Sequence, residues 1–254
     1  MRRSETSGPP TLGLATLALW ATLSASCGPT PIEVTQAALE AVQDADPVAL
    51  GRRVASAYAD PLGGRTELLA DVEAWANEHP VRAISGRAFE AERGRSRARA
   101  RVSFELSLEL SGLGASVRAS GPTAVELERD GDFRIRSGLL TEVRDALELM
   151  SARRRALEAN DVDAYVELLH PGYRDGAFGP ERLVEQLRED LPGRIVRLEP
   201  LGYLIELRED LVHVDERHRL SIDGALGPVS TARLTLAKSA GRLRIRSGLR
   251  QAAP

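Results

Sequence analysis

From Ala98 to Leu110 every even position is apolar: Ala98, Ala100, Val102, Phe104, Leu106, Leu108 and Leu110. Arg95, Arg97, Arg99, Arg101, Ser103, Glu105, Ser107 and Glu109 take the alternate places. A period of two puts the sets on opposite faces, which predicts one long, half-buried strand over Ser96 to Leu110. Val125 to Arg129 and Phe133 to Ser137, joined by Asp130-Gly131, read as a hairpin, because that dipeptide tolerates the positive φ of a tight turn. Leu211 to Ile222, Val229 to Lys238 and Leu243 to Ser247 repeat the pattern.

Ahead of each strand group the period is helical. Glu33 to Tyr58 and Glu142 to Leu169 carry apolar residues at helix spacing, as in Val143, Ala146, Leu147, Met150 and Leu157, then Tyr165, Leu168 and Leu169. Thr141 is placed to cap the second run. Asp46-Pro47 and Asn160-Asp161 divide each run into two helices, with Pro47 suited to a first turn. A further helix follows over Arg65 to Glu78 and Pro180 to Leu191, stopped by His79-Pro80 and Pro192-Gly193. Helices followed by long antiparallel strands predict an α+β fold in which a curved sheet wraps the helices.

The chain also repeats itself. Phe133-Arg134-Ile135-Arg136-Ser137-Gly138-Leu139 matches Leu243-Arg244-Ile245-Arg246-Ser247-Gly248-Leu249 at six of seven positions, 110 residues apart. Asp46, Tyr58, Asp60 and Leu68 match Asp161, Tyr173, Asp175 and Leu183 at a spacing of 115. Two matched ends in the same order predict tandem domains over 32–141 and 142–250.

Residues 1–26 read as a signal peptide. Arg2 and Arg3 give a positive start, Thr11 to Leu23 is uncharged and mostly apolar, and Ser24-Ala25-Ser26 offers small residues for cleavage. The apolar run spans about 20 Å as a helix, short of a hydrocarbon core of roughly 30 Å. The only cysteine, Cys27, stands where a bacterial lipoprotein carries its lipid, so 27–31 read as a lipidated tether. The alternative is ordinary secretion with a free thiol. The anchored reading implies a membrane-anchored lipoprotein of the cell envelope, on the periplasmic or surface side.

With 43% hydrophobic and 28% charged residues in 254, the composition is that of a globular chain long enough for two small domains. Acids outnumber bases 37 to 34, and Lys238 is the only lysine. Arginine is therefore the chain's default cation, and its runs do not indicate nucleic-acid binding. The alternating Arg95, Arg97, Arg99 and Arg101 read either as a basic stripe for anionic lipid or phosphate, or as a solvated face balanced by Glu126 and Glu128. Trp75, Tyr58 and Tyr203 read as core.

The stretch Glu158-Ala159-Asn160-Asp161-Val162-Asp163-Ala164-Tyr165-Val166-Glu167-Leu168-Leu169-His170-Pro171-Gly172-Tyr173-Arg174-Asp175 resembles the opening of the nuclear transport factor 2-like superfamily, which includes ketosteroid isomerases and SnoaL-like polyketide cyclases. The resemblance implies two cone-shaped domains, each with helices closing a curved sheet around a pocket. It also implies that an enzyme of this kind would place its acid at Asp60 or Asp175. The tyrosine that stabilises an oxyanion in the isomerases falls at Gln36 and Arg153, neither of which is a phenol.

A second signal needs no family. On the strand Leu211 to Ile222, the parity of Val212, Val214, Leu220 and Ile222 also holds Glu216 and His218. Two polar groups on the apolar side predict a polar pocket, a satisfied interior pair or a bulge that flips the parity. The candidate ligand-binding residues are thus Tyr173, Asp175, Glu216 and His218, with Asp175 the only catalytic candidate. His79, His170 and His213 show no metal-ligand spacing, and neither a metal nor a cofactor is expected. The expected role is non-covalent binding of a small molecule or an envelope protein; an isomerase or cyclase and a structural adaptor are the alternatives.

Overall fold

A computed structural model describes residues 28–249. The expected signal peptide and Cys27 lie outside the described residues. Helix α1 (Pro31–Gln43) opens on a capping box: the Thr30 hydroxyl accepts from the Glu33 N–H and the Glu33 carboxylate accepts from the Thr30 N–H. Helix α2 (Pro47–Arg53) starts at Asp46, whose Oδ1 accepts from the N–H groups of Val48 and Ala49. A two-residue ribbon, β1 (Ala59–Asp60) and β2 (Gly63–Gly64), leads into α3 (Arg65–Glu78). Four strands follow: β3 (Val81–Arg93), β4 (Arg99–Ser111), β5 (Ser116–Asp130) and β6 (Asp132–Ser137).

The second half is built in nearly the same order. It contains α4 (Thr141–Glu158), α5 (Val162–Glu167), α6 (Pro180–Asp190), β7 (Val196–Leu207), β8 (Leu211–Ile222), β9 (Ala225–Ser239) and β10 (Arg242–Ser247). Corresponding backbone contacts pin the halves to one plan: Val54 bridges Ile135 as Leu169 bridges Ile245, and the Ala55 N–H donates to Ile135 as the His170 N–H donates to Ile245. The recurring Ser-Gly-Leu has a steric cause. Gly138 (φ +90°) and Gly248 (φ +106°) lie so close to the carbonyl oxygens of Ala124 and Arg233 that a Cβ would collide.

Helices pack against one large sheet of eight strands, in the order β10-β9-β8-β7-β5-β4-β3, with β6 beside β5. Every neighbouring pair is antiparallel except β5 and β7, which run parallel from Ser116 opposite Gly202 to Ser120 opposite Glu206. The seam exists because β5 is long: its far end, Glu126 to Asp130, pairs with β6, leaving its first residues to pair with β7. Where the strands part, Gly121 has φ +126°, and a Cβ there would strike the Leu207 carbonyl. The buried side chains of both halves form one continuous cluster.

Several expectations need correction. The strands β3 and β7 carry no clear alternation in sequence, because each is interrupted by a bulge, around Ala88-Phe89 and at Leu201. The hairpin strand expected from Val125 begins at Ser116, and the strand expected from Ser96 begins at Arg99. Arg95 and Arg97 therefore sit on the β3–β4 turn, closed by Gly94 N–H to Arg99 O, and not on a strand face. Thr141 is not an N-cap: Leu140 (φ +55°) precedes the helix, and the Thr141 hydroxyl is committed elsewhere.

Candidate functional site

The Thr141 hydroxyl donates to Asp60. Asp60 Oδ2 accepts from Tyr58 Oη at 2.6 Å, Thr141 Oγ1 at 3.0 Å and Arg144 Nη1 at 2.7 Å, while Oδ1 accepts from the Leu62 N–H at 2.8 Å. Its side chain is 1% exposed and that of Arg144 is 2% exposed. Arg144 Nε also donates to Asp71 Oδ2 at 2.8 Å. The acid position of the first half is therefore a saturated staple between β1 and α4. Burial and the neighbouring Asp60 carboxylate push the Tyr58 hydroxyl well above its ordinary pKa.

In the second half Asp175 is half-buried, and its backbone pairs with Phe178 as Asp60 pairs with Gly63. Tyr173 is buried beside it and lines a cleft of about 660 Å³ with Arg174, Glu181, Arg246 and Ser247 among others. The Arg174 N–H donates to Arg246 O, which ties this loop to the end of the sheet where Ser247 faces Thr235 and Thr235 faces His213. Glu216 and His218 stand three and five residues farther along β8, about 10 Å and 17 Å at the usual strand rise. The four expected ligand residues thus belong to two places on the sheet.

Glu216 and His218 keep the inward parity. The only bulge in the β8–β9 ladder falls between Arg219 and Ser221, past both residues, and their side chains are 0% and 5% exposed. The partner that the strand pattern did not reveal is Arg153 on α4, whose Nη1 donates to Glu216 Oε2 and whose Nε lies 3.4 Å from Tyr165 Oη. Burial opposes the charge on Arg153, but Tyr165 and Glu216 outweigh it and hold the guanidinium protonated. His218 Nδ1 is 3.3 Å from Glu216 O and 3.7 Å from Oε2. Tyr203 stands directly across the ladder from Glu216, and burial together with the Glu216 charge raises its hydroxyl pKa. Glu216 Oε1 is buried and has no hydrogen-bond partner among the described residues.

The first half supplies an internal control. Ile245 faces Leu236, which faces Val212; Ile135 faces Leu127, which faces Ala100. Counting along the strands from there, Glu216 and His218 correspond to Phe104 and Leu106. The paired bridges at Val54 and Leu169 likewise make Ala38 the counterpart of Arg153 and Leu50 that of Tyr165. Gln36, the position read from sequence, is exposed. At these positions Ala38, Leu50, Phe104 and Leu106 are all buried core, with Phe89 stacked on Phe104 at 5.2 Å. The same architecture closes with hydrocarbon in one half and with Arg, Tyr, Glu and His in the other.

Among the described residues no three His, Cys, Asp or Glu side chains converge to hold a metal, and no helix is long and apolar enough to cross a membrane. His213 faces Thr235, and His170 Nδ1 accepts from the Gly172 N–H.

The fold is α+β, with helices packed against a large antiparallel sheet. Solved structures similar to part of the chain include proteins of the nuclear transport factor 2-like kind. One is an NTF2-like family protein from Streptomyces avermitilis, 12% identical, matched over 42% of this chain and 93% of that one with a TM-score of 0.36. ActVI-ORFA from Streptomyces coelicolor is 13% identical over 41% of this chain and 92% of its own, TM-score 0.37. A protein of unknown function with a cystatin-like fold from Nostoc punctiforme is 14% identical over 42% and 87%, TM-score 0.37. No protein-family model matches the chain, and no curated protein matches it.

Proposed function

We propose that this chain is an exported, lipid-anchored envelope protein built of two nuclear transport factor 2-like units, the second of which holds a small polar ligand without chemistry. One observation carries the binding reading: a buried Arg153, Tyr165, Glu216 and His218 replace four apolar core residues of the first half. A buried ion pair is a poor route to stability, since well-packed hydrocarbon commonly does as well or better. The first half demonstrates that hydrocarbon suffices here. The unpartnered Glu216 Oε1 is an acceptor, so the ligand carries an O–H or N–H donor. A non-catalytic role is favoured by the saturation of Asp60 and by the distance of Asp175 from the polar core. Export and anchoring rest on Arg2, Arg3, the Thr11 to Leu23 run and Cys27.

The test is native mass spectrometry of the mature protein released gently from the envelope fraction. A reproducible small-molecule adduct that disappears in Glu216→Gln is the expected result. An adduct-free parent mass rejects the ligand reading in favour of an adaptor. Anchoring is tested separately by Cys27→Ala, which should release the protein from membranes washed at high salt, conditions that leave a lipid-anchored parent bound.

A further inference from the structure

The β3–β4 turn gathers four arginines, Arg93, Arg95, Arg97 and Arg99, without an acid between them. Residues 91–99 are all exposed, and these four arginines make no ion pair among the described residues. The neighbouring strand face differs: Arg101 pairs with Glu126 at 3.8 Å and Arg136 with Glu128 at 3.6 Å. Unneutralised charge is thus concentrated at the tip.

The tip's position in the fold gives that charge a direction. Ala98 O accepts from the Arg129 N–H at 2.7 Å, so the turn lies at the end of β5. There β5 passes through Gly131 into β6, and Asp130 faces Asp132. Gly28 lies against this same turn, close enough that a Cβ on it would collide with the Asp132 carboxylate. With strands about 5 Å apart, Ala98 is two strands, roughly 10 Å, from the end of β6 against which Gly28 packs, of the order of the Debye length at physiological salt. Cys27 is the next residue, one peptide bond from Gly28.

We propose that the Arg93–Arg99 tip is a membrane-contact surface for anionic lipid headgroups, set beside the anchor so that the lipid and the arginines engage the same bilayer face. This rests on the reading of Cys27 as the lipidated residue. The lipid on the cysteine supplies the hydrophobic attachment, and clustered basic residues next to an anchor add an electrostatic one wherever the bilayer face is anionic. The exposed Glu92, Asp130 and Asp132 at the same end reduce the attraction, while the exposed Arg129 and Arg134 add to the basic side. The β5–β7 seam, Ser116 to Ser120, lies at the opposite end of β5 from this tip.

The test uses the mature chain, residues 27–254, carrying Cys27→Ser, so that neither lipid nor signal peptide contributes, with vesicles of pure phosphatidylcholine or of phosphatidylcholine containing about 30% phosphatidylglycerol. Expected is sedimentation with the anionic vesicles only, reversed by raised salt, and weakened at least tenfold in Arg93→Gln/Arg95→Gln/Arg97→Gln/Arg99→Gln. A control removing the same charge from the exposed Arg118, Arg155, Arg188 and Arg217 should bind as the parent does. Equal sedimentation with both vesicle types, or a tip variant that binds as well as the parent, overturns the proposal. Competition by millimolar inorganic phosphate at constant ionic strength would reassign the tip to a free anion and also overturn it. Failure of lipidation itself reads out differently: intact-mass analysis of the wild-type protein would show an unmodified Cys27 whatever the vesicles report.

Discussion

Arg144 on α4 reaches Asp60 on β1 at 2.7 Å, with both side chains almost wholly enclosed. The two residues are 84 positions apart and join the first strand ribbon to the first helix of the second half. The position where the family resemblance would place an enzyme's acid is, in the first half, a joint between the halves.

Asp60→Ala should therefore cost about 3–5 kcal/mol, because it strands a buried guanidinium and removes the acceptor of Tyr58 and Thr141. Asp71→Asn should cost under about 1 kcal/mol, since the Asp71 side chain is 45% exposed and screened. Urea unfolding of both variants checks this. Equal losses would mean that the staple is not what holds the joint.

The polar core of the second half should be replaceable as a set but not singly. Glu216→Gln leaves Arg153 buried opposite a neutral amide and should destabilise by about 3 kcal/mol. Installing the first half's residues together, Arg153→Ala, Tyr165→Leu, Glu216→Phe and His218→Leu, should restore stability to within about 1 kcal/mol of the parent or above it. Thermal unfolding of the single and quadruple variants decides the matter. A quadruple variant as unstable as the single one would show that the set serves the fold.

Gly121→Val should open the seam. The backbone there is left-handed and abuts the Leu207 carbonyl, so any side chain must separate β5 from β7. A loss of about 3 kcal/mol or more is expected, with faster amide exchange at Ser116–Ser120 than at the β8–β9 ladder. Uniform exchange across the sheet would place the damage elsewhere.

His79 makes stability pH-dependent. Burial holds its pKa below the ordinary value, Arg82 adds to that effect and Glu78 opposes it. As pH falls below about 6.5 the unfolded chain takes up a proton that the folded chain resists, so stability drops down to the folded pKa and then levels. His79→Gln should shrink the difference in unfolding free energy between pH 7.5 and pH 5.5. An unchanged difference would assign the slope to another group.

Much of the architecture was legible. Alternation gave β4 and β8, the Asp-Gly and Ser-Gly-Leu signals gave the hairpin and its echo, and Asp46 and Pro47 marked a helix start, because each is a local preference written in neighbouring residues. β3 and β7 were not legible, since their bulges break the period that identifies a strand. Thr141 reads as a cap locally and is diverted by a carboxylate far away in sequence.

The period of two by itself put Glu216 and His218 on the inward parity, and the ladder, whose bulge falls only beyond Arg219, decided that they keep it. What they meet there was decided by the packing of α4 on the sheet, which delivers Arg153 from 63 residues away. The parallel seam between β5 and β7 is likewise tertiary. A strand's sequence encodes which face it buries, but the choice of edge partner depends on which backbone N–H and C=O groups the rest of the fold leaves unpaired.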